Sequence, residues 1–263
     1  MIRVLYLGQK WIGERCLELL LAHPGIELCA VVTNPGSDTW WGTRGVFVRA
    51  RSLGLSVVSN AERNDDAIAE LAAVQGVDAI VSVQHPWIVR QHLLDLVGGA
   101  AFNLHSAKLP DYRGYNAVNH AILNGDGTYT VTLHWMVAEP DSGGIAFEET
   151  IPVGSGETAR GLYERALAAG ERAFVRFLDA LAEGRDAVPR TELQGEGQFF
   201  PRSSIDPERE IRSLDDSEEV DVRSRALYFP PFEPAYYRRD GRKHYVLPDG
   251  FETFAHEFRS RLW

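Results

Sequence analysis

The chain has 263 residues, enough to bury a sizeable core, and its 44% hydrophobic and 24% charged residues are ordinary for a soluble globular protein. A formal net charge of -10 excludes a general cationic field for gathering nucleic acid, yet a few local Lys or Arg residues suffice for a small phosphorylated ligand. Cys16 and Cys29 each lie in an apolar stretch and read as small hydrophobes, not as a disulfide or a metal pair. No run approaches the roughly 20 apolar residues that span a bilayer, and the start MIRVLYLG lacks a signal-peptide cleavage pattern, so a cytoplasmic location away from membranes is expected.

Taken in chain order, Ile2 to Gly8 reads as a buried strand and Trp11 to His23 as a helix ended by Pro24-Gly25. Ile26 to Thr33 is a second apolar strand, followed by the loop NPGSDTWWGTR. Helices over Val46 to Leu53, Asp65 to Gln75 and Ile88 to Val97 alternate with strands at Leu55 to Val58, Asp78 to Val83 and Ala100 to His105. This rhythm predicts an α/β fold, a Rossmann-like, mostly parallel sheet flanked by helices. After it come a helix from Asn116 to Leu123 and a strand from Tyr129 to Met136 that puts Thr130, Thr132 and His134 on one face. A strand from Ile145 to Val153 and a long amphipathic helix from Glu157 to Glu183 complete the pattern.

Residues 1–185 therefore read as the catalytic domain and 186–263 as a short C-terminal extension, polar at first and acidic from Asp215 to Asp221. Asp240-Gly241 between two β-rich arms predicts a hairpin over Ala235 to Leu247. Its aromatic arm, Tyr236 and Tyr237, has two readings, a homodimer contact or packing on its own chain.

Ligands in such sheets bind beyond the carboxyl ends of the strands. The first such turn, Gly8 to Gly13, is neither a dinucleotide fingerprint, which needs glycine where Lys10 stands, nor a phosphate loop, since Glu14 and Arg15 follow Gly13. It reads equally as a tight turn and as a substrate-contacting loop. The segment FNLHSAKLPDYRGYN, residues 102 to 116, is more informative. Alternation puts Asn103 and His105 on one face at a strand end, and the loop behind them carries Lys108 and Arg113. Asp141 sits downstream in a Pro-Asp-Ser-Gly-Gly turn. Alone, His105 reads as an interior histidine and Asp141 as a turn residue bonding its own backbone; together, in these flanking patterns, they do not.

At these residues the chain resembles the folate-dependent formyltransferase family, which includes methionyl-tRNA, glycinamide ribonucleotide and nucleotide-sugar N-formyltransferases. The resemblance rests on Asn-x-His-Ser-x-x-Leu-Pro-x-Tyr-Arg-Gly, here Asn103 to Gly114, with the later Asp141, and it extends over about residues 1 to 185. It implies that Asn103, His105 and Asp141 are the catalytic trio and that N10-formyltetrahydrofolate is the formyl donor, with no metal. The residue types suit the chemistry. An Asn103 amide can donate to a developing oxyanion. A His105 imidazole can manage the proton of the attacking amine, and an Asp141 carboxylate can orient it and favour its charged form.

By the same resemblance, Gln84, His85, Pro86, Trp87, Ile88 and Val89 line the pterin pocket, with Val137, Ala138, Glu139 and Pro140 as its other wall. For Trp87 and Ile88, plain packing at a helix start is an equal reading. Candidate acceptor contacts are Gln9, Lys10, Trp11, Lys108, Tyr112, Arg113 and Asn116, with Lys10, Lys108 and Arg113 for a diphosphate and Arg202 as a weaker candidate. Each of these cations could equally be a solvated surface charge.

The short aromatic tail and the segments SVQHPWI and TLHWM resemble the nucleotide-sugar enzymes, most of all GDP-perosamine N-formyltransferases of O-antigen and lipopolysaccharide synthesis. A dTDP-linked 3- or 4-amino sugar, glycinamide ribonucleotide and methionyl-tRNA remain alternative acceptors, the last disfavoured by the tail's shortness. A formyltetrahydrofolate hydrolase would use the same trio with water. A zinc enzyme would draw on His85, His92, His105, His120 and His134, but none has ligand spacing. A binding protein without activity is disfavoured because all three members of the trio are present.

Overall fold

The computed structural model describes residues 1–35, 45–59 and 65–251, so most of the expected loop NPGSDTWWGTR lies outside the described residues. In chain order the elements begin β1 (Ile2–Gly8), α1 (Lys10–Ala22), β2 (Ile26–Thr33), α2 (Gly45–Ser52), β3 (Ser56–Ser59), α3 (Asp65–Gln75) and β4 (Ala79–Val83). They continue with α4 (Gln91–Leu96), β5 (Ala101–His105), β6 (Arg113–Gly114), α5 (Ala117–Leu123), β7 (Thr128–Trp135), β8 (Ile145–Pro152) and α6 (Ala159–Glu183). β9 (Phe199–Phe200), α7 (Ser217–Ala226), β10 (Ala235–Arg239) and β11 (Arg242–Val246) follow.

Seven strands form one sheet in the order β3-β2-β1-β4-β5-β7-β8. The strands from β3 to β5 run parallel, and β7 and β8 are antiparallel additions at one edge. This is the α/β architecture the rhythm predicts. The parallel strands are apolar along their length because helices cover both faces; β4 is buried throughout, as is β1 from Val4 onward. Helix α6 begins where the Thr158 hydroxyl accepts from the Gly161 N–H, and its buried stripe, including Leu162, Phe174, Phe177 and Leu181, packs on the β7–β8 side of the sheet.

One expected element starts late. Apolar Ile88 and Val89 suggested a helix from Ile88, but α4 begins at Gln91, and residues before it stay irregular. Trp87 and Ile88 are exposed at 37% and 52% and face a cavity, so helix-start packing is not what they do.

The segment after α6 folds back on the sheet domain. β9 pairs with β6 in register Arg113↔Phe199 and Gly114↔Phe200. Beyond it, Ile205, Ile211, Leu227 and Ala235 form a small second core on which Val220, Tyr237 and Val246 pack. β10 and β11 make the expected hairpin, with Asp240 and Gly241 at φ 51° and 73°, the double positive φ of a type I′ turn. Tyr236 is buried, its hydroxyl near the Glu210 carboxylate at 3.4 Å, so this aromatic arm packs on its own chain. Among the described residues no helix is long and apolar enough to cross a membrane.

Candidate active site

A pocket of about 440 Å³ opens at the carboxyl ends of β4 and β5 and is lined by Asn103, His105 and Asp141. The local sequence explains their convergence. β5 alternates so that Asn103 and His105 share a face, and the antiparallel register sets His134 of β7 opposite Asn103. Asp141 sits at φ 55° in the turn joining β7 to β8, a left-handed conformation that a short polar side chain tolerates. Two residues on, Gly143 packs directly on the end of β7, where any side chain would run into the Trp135 carbonyl oxygen.

Both imidazoles are oriented by main-chain carbonyls. His105 Nε2 lies 2.8 Å from the Tyr112 oxygen and His134 Nδ1 lies 2.8 Å from the Trp135 oxygen. A carbonyl only accepts, so these nitrogens carry the hydrogens, and in neutral rings His105 Nδ1 and His134 Nε2 are left bare. His134 Nε2 then accepts from the Asn103 amide at 3.1 Å. Both bare nitrogens stand 3.6 Å from the same Asp141 oxygen, beyond hydrogen-bond length. A proton arriving on His105 Nδ1 would meet that carboxylate at once. Burial works against the Asp141 charge, but His105, the His134 ring and the Gly114 N–H, donating at 3.1 Å, outweigh it and hold the carboxyl well below its usual range.

His134 is the residue that sequence reasoning missed. Its alternation with Thr130 and Thr132 was legible, but its partnership with Asn103 follows only from the β5–β7 register. The signal that could have found it is a buried polar residue on the strand paired with the one that carries Asn103.

The expected pterin walls are partly assembled. Gln84, His85, Pro86, Trp87, Ile88, Val89, Val137 and Pro140 line the pocket, joined by Met136, whereas Ala138 and Glu139 do not. Glu139 instead pairs with Arg113 at 3.2 Å on the surface. The turn at residues 84–89 belongs to no helix or strand, so its main-chain groups are not committed to a ladder, and its side chains are largely apolar. That combination fits a flat heterocycle with edge donors and acceptors, as a pterin has. Burial pushes the His85 imidazolium down to about 4, so His85 is neutral there.

Of the acceptor candidates, Lys10 and Asn116 line the pocket and five do not. Gln9 is buried at the end of β1, and Trp11 packs against the core. Lys108 turns away to pair with Asp111 at 2.8 Å, and Tyr112 bonds Asp126 and Asn124 on another side of the loop. Arg113 is held by Glu139 and Ser142. The loop between β5 and β6 thus curls back to support His105 through the Tyr112 carbonyl instead of offering its cations to the pocket. Arg202, with its guanidinium 4.7 Å over the Tyr115 ring, lines the pocket, as do Phe199, Ile205, Arg209, Leu227, Phe229 and Phe232 from the C-terminal segment.

The GDP-perosamine N-formyltransferase of Brucella melitensis biotype 1 is 29% identical over 252 residues, covering 93% of this chain and 92% of that protein. The methionyl-tRNA formyltransferase of Thermobifida fusca is 30% identical over 212 residues, covering 79% of this chain and 68% of that one. In fold, the chain is similar to the N-formyltransferase from Helicobacter canadensis in complex with folinic acid and dTDP-3-aminofucose, with a TM-score of 0.74 at 22% identity over 92% of this chain and 86% of that chain. The profile of the formyl transferase family matches residues 27–178, more than half of the sequence and the stretch that carries the whole trio, and the chain belongs to the formyl transferase family.

Proposed function

We propose that this protein transfers the formyl group of N10-formyltetrahydrofolate to the amine of a nucleotide-linked amino-deoxy sugar, with GDP-perosamine (4-amino-4,6-dideoxymannose) as the preferred acceptor, for O-antigen and lipopolysaccharide synthesis. The observation that carries the reading is the convergence of Asn103, His105 and Asp141 in one pocket whose remaining wall comes from the C-terminal segment. Support for a sugar acceptor comes from the Brucella relative, which aligns across nearly the full length of both chains, tail included.

Folate bound against residues 84–89 and against Met136, Val137 and Pro140 would supply an activated formyl carbon. The rest falls to the chain. Asn103, held by His134 at 3.1 Å, presents its second amide hydrogen to the formyl oxygen as charge develops there. His105 Nδ1, bare and facing the pocket, takes the proton that the amine must shed on attack, and that proton passes on to the folate N10 as its bond to the formyl carbon breaks and tetrahydrofolate leaves. Asp141 stays ionised beside it and stabilises the imidazolium so formed. Gln84, bonded to Lys10 at 3.0 Å and to Ser106 at 3.1 Å, ties the β1 turn and the β5 loop to the folate wall.

The test is a mass assay of purified protein with N10-formyltetrahydrofolate and a panel of GDP-perosamine, dTDP-linked 3- and 4-amino sugars, glycinamide ribonucleotide and water alone. Formylation of GDP-perosamine, abolished by His105→Ala, is the expected result. Preference for a dTDP sugar would keep the acceptor class and change the base. Formylation of glycinamide ribonucleotide alone would discard the sugar reading, and deformylation in water alone would make the chain a hydrolase.

A further inference from the structure

On a chain with a formal net charge of -10, the described residues lining the pocket include the permanent cations Lys10, Arg202 and Arg209 and a single carboxylate, Asp141. Asp141 offsets one of these three charges, since the histidine nitrogens 3.6 Å from it are bare in the neutral rings. The pocket is therefore a positive enclave in an acidic protein, and an enclosed positive site gathers anions.

Arg209 is the least expected of these cations. Its side chain is only 15% exposed, and it stands at the end of a single 3-10 turn, Pro207–Arg209. The backbone there is pinned, because the next residues bridge to β10: Glu210 pairs with Tyr236, and Ile211 N–H donates to the Tyr236 carbonyl at 2.8 Å. The guanidinium itself donates to the Glu233 main-chain oxygen. Its one ion pair is long and open to solvent. Asp206 is 3.8 Å away and 70% exposed, while the Glu233 carboxylate is engaged by Lys243 at 2.7 Å and by the Tyr245 hydroxyl at 3.2 Å. Burial pushes the Arg209 guanidinium below its ordinary value, against the pull of Asp206 and Glu233. A largely buried guanidinium whose only ion pair is a long one to an exposed carboxylate keeps donors to offer, and its planar fork suits a phosphate.

We propose that Arg209, with Arg202 beside it on the same segment, is the subsite for the phosphate of a nucleoside diphosphate acceptor. This deepens the acceptor reading above and rests on it. A folate carboxylate is the other anion that could reach the pocket. The placement favours the acceptor, since both arginines come from the C-terminal segment and neither belongs to the turns at 84–89 and 136–140. Arg202 is held there by its own chain: Asn116 Nδ2 donates to its main-chain oxygen at 2.9 Å. The polar C-terminal extension thus contributes a cation to the pocket.

The experiment is calorimetric titration of wild type, Arg209→Met and Arg209→Lys with GDP, dTDP, guanosine, inorganic pyrophosphate and folinic acid, each at two salt concentrations. Wild type is expected to bind a nucleoside diphosphate well above guanosine, with affinity falling as salt rises. Arg209→Met should weaken that binding about 10- to 100-fold, the effect of losing hydrogen bonds to a charged group, and should flatten its salt dependence. Arg209→Lys should fall between, since an ammonium keeps the charge without the fork. Folinic acid affinity should stay at the wild-type level in both variants, which also reports that they are folded. Nucleoside diphosphate binding unaltered in Arg209→Met, a parallel loss of folinic acid in both folded variants, or guanosine binding as tightly as GDP would overturn the subsite. If wild type binds pyrophosphate through Arg209 but no nucleoside diphosphate, the subsite stands and the nucleotide-sugar reading falls. Binding of neither by wild type overturns the subsite itself.

Discussion

At the ends of β4, β5 and β7 the pocket wall is sheet: Asn103 pairs with Ser82 of β4 and His134 of β7, and His105 with Thr132 of β7. From Phe199 to Phe232 the wall has almost no ladder. It is held by side chains reaching across to main chain, among them Asn116 to the Arg202 oxygen, Asn119 to the Ala226 oxygen at 2.7 Å and Arg160 to the Pro230 oxygen at 3.4 Å. A ladder fixes a side chain within a fraction of an ångström, which chemistry at a formyl carbon requires. Side-chain ties can be exchanged one at a time without refolding a sheet. The contrast fits a division of labour in which the sheet wall does chemistry and the C-terminal wall chooses the acceptor.

The largest effect belongs to the sheet wall. Asn103→Ala should lower turnover about 10²–10³-fold, the usual loss for one oxyanion donor, with a melting temperature near wild type because the β5 ladder survives. Turnover equal to wild type under saturating folate and acceptor would show that Asn103 does not donate in the transition state.

Next is the residue that joins the walls. Gly114 has φ +90°, donates its N–H to Asp141, and lies against β9 so closely that a Cβ would meet the Phe200 carbonyl oxygen. Gly114→Ala should destabilise the fold by about 2 kcal/mol through strain at positive φ and the displaced β9. It should also impair catalysis and acceptor binding together, measured as paired losses in kcat and acceptor affinity. A variant that lost only one of these would mean the walls are not coupled at this point.

The convergence of Asn103, His105 and Asp141 was legible in sequence because they sit in short motifs whose geometry is local: strand alternation aims Asn103 and His105, and a Pro-Asp-Ser-Gly turn presents Asp141. The strands of the parallel half were legible as apolar runs for the same reason. What depended on tertiary register was not legible. His134 gains its place from the strand it faces, and Arg209 is buried by packing in an extension whose composition reads as polar. Lys108 and Arg113 misled for the converse reason, since their loop looked basic and near the site but spends its cations on Asp111, Glu139 and Ser142.

Acid should separate the walls. His85 in the folded chain titrates at about 4 against an ordinary value near 6.5, because burial disfavours its charge. Between those values the unfolded chain binds a proton that the folded chain refuses, so stability is full above pH 6.5 and falls as pH drops toward 4. The loss is roughly 2 kcal/mol after allowing for partial exposure. Asp141 is depressed, so its contribution is present above the ordinary carboxylate range and goes only as pH falls through its lower folded value. Thermal melts from pH 7.5 to 4 should therefore decline in wild type and flatten in His85→Gln. An unchanged slope in that variant would place the acid sensitivity elsewhere.

The smallest effect tests the C-terminal wall alone. Asn116 stands at φ 60°, where Asn is tolerated, and its amide donates to the Arg202 oxygen at 2.9 Å and to Ser204 Oγ at 3.3 Å. Replacement by alanine would mix two causes, lost hydrogen bonds and backbone strain. Asn116→Gly removes the bonds while keeping the positive φ accessible, so it isolates the tie. The expected cost is about 1 kcal/mol in stability. The segment carrying Arg202 should loosen, raising KM for the acceptor several-fold while KM for the folate donor stays at the wild-type value. His120 adds a second tie to Ser204 Oγ at 2.7 Å, so the double variant with His120→Ala should extend the same trend rather than start a new one. If KM rises equally for both substrates in the single variant, the pocket is one mechanical unit and the division between a chemical wall and a selecting wall does not hold. If only the acceptor responds, the wall without a ladder is where this chain distinguishes one amine from another.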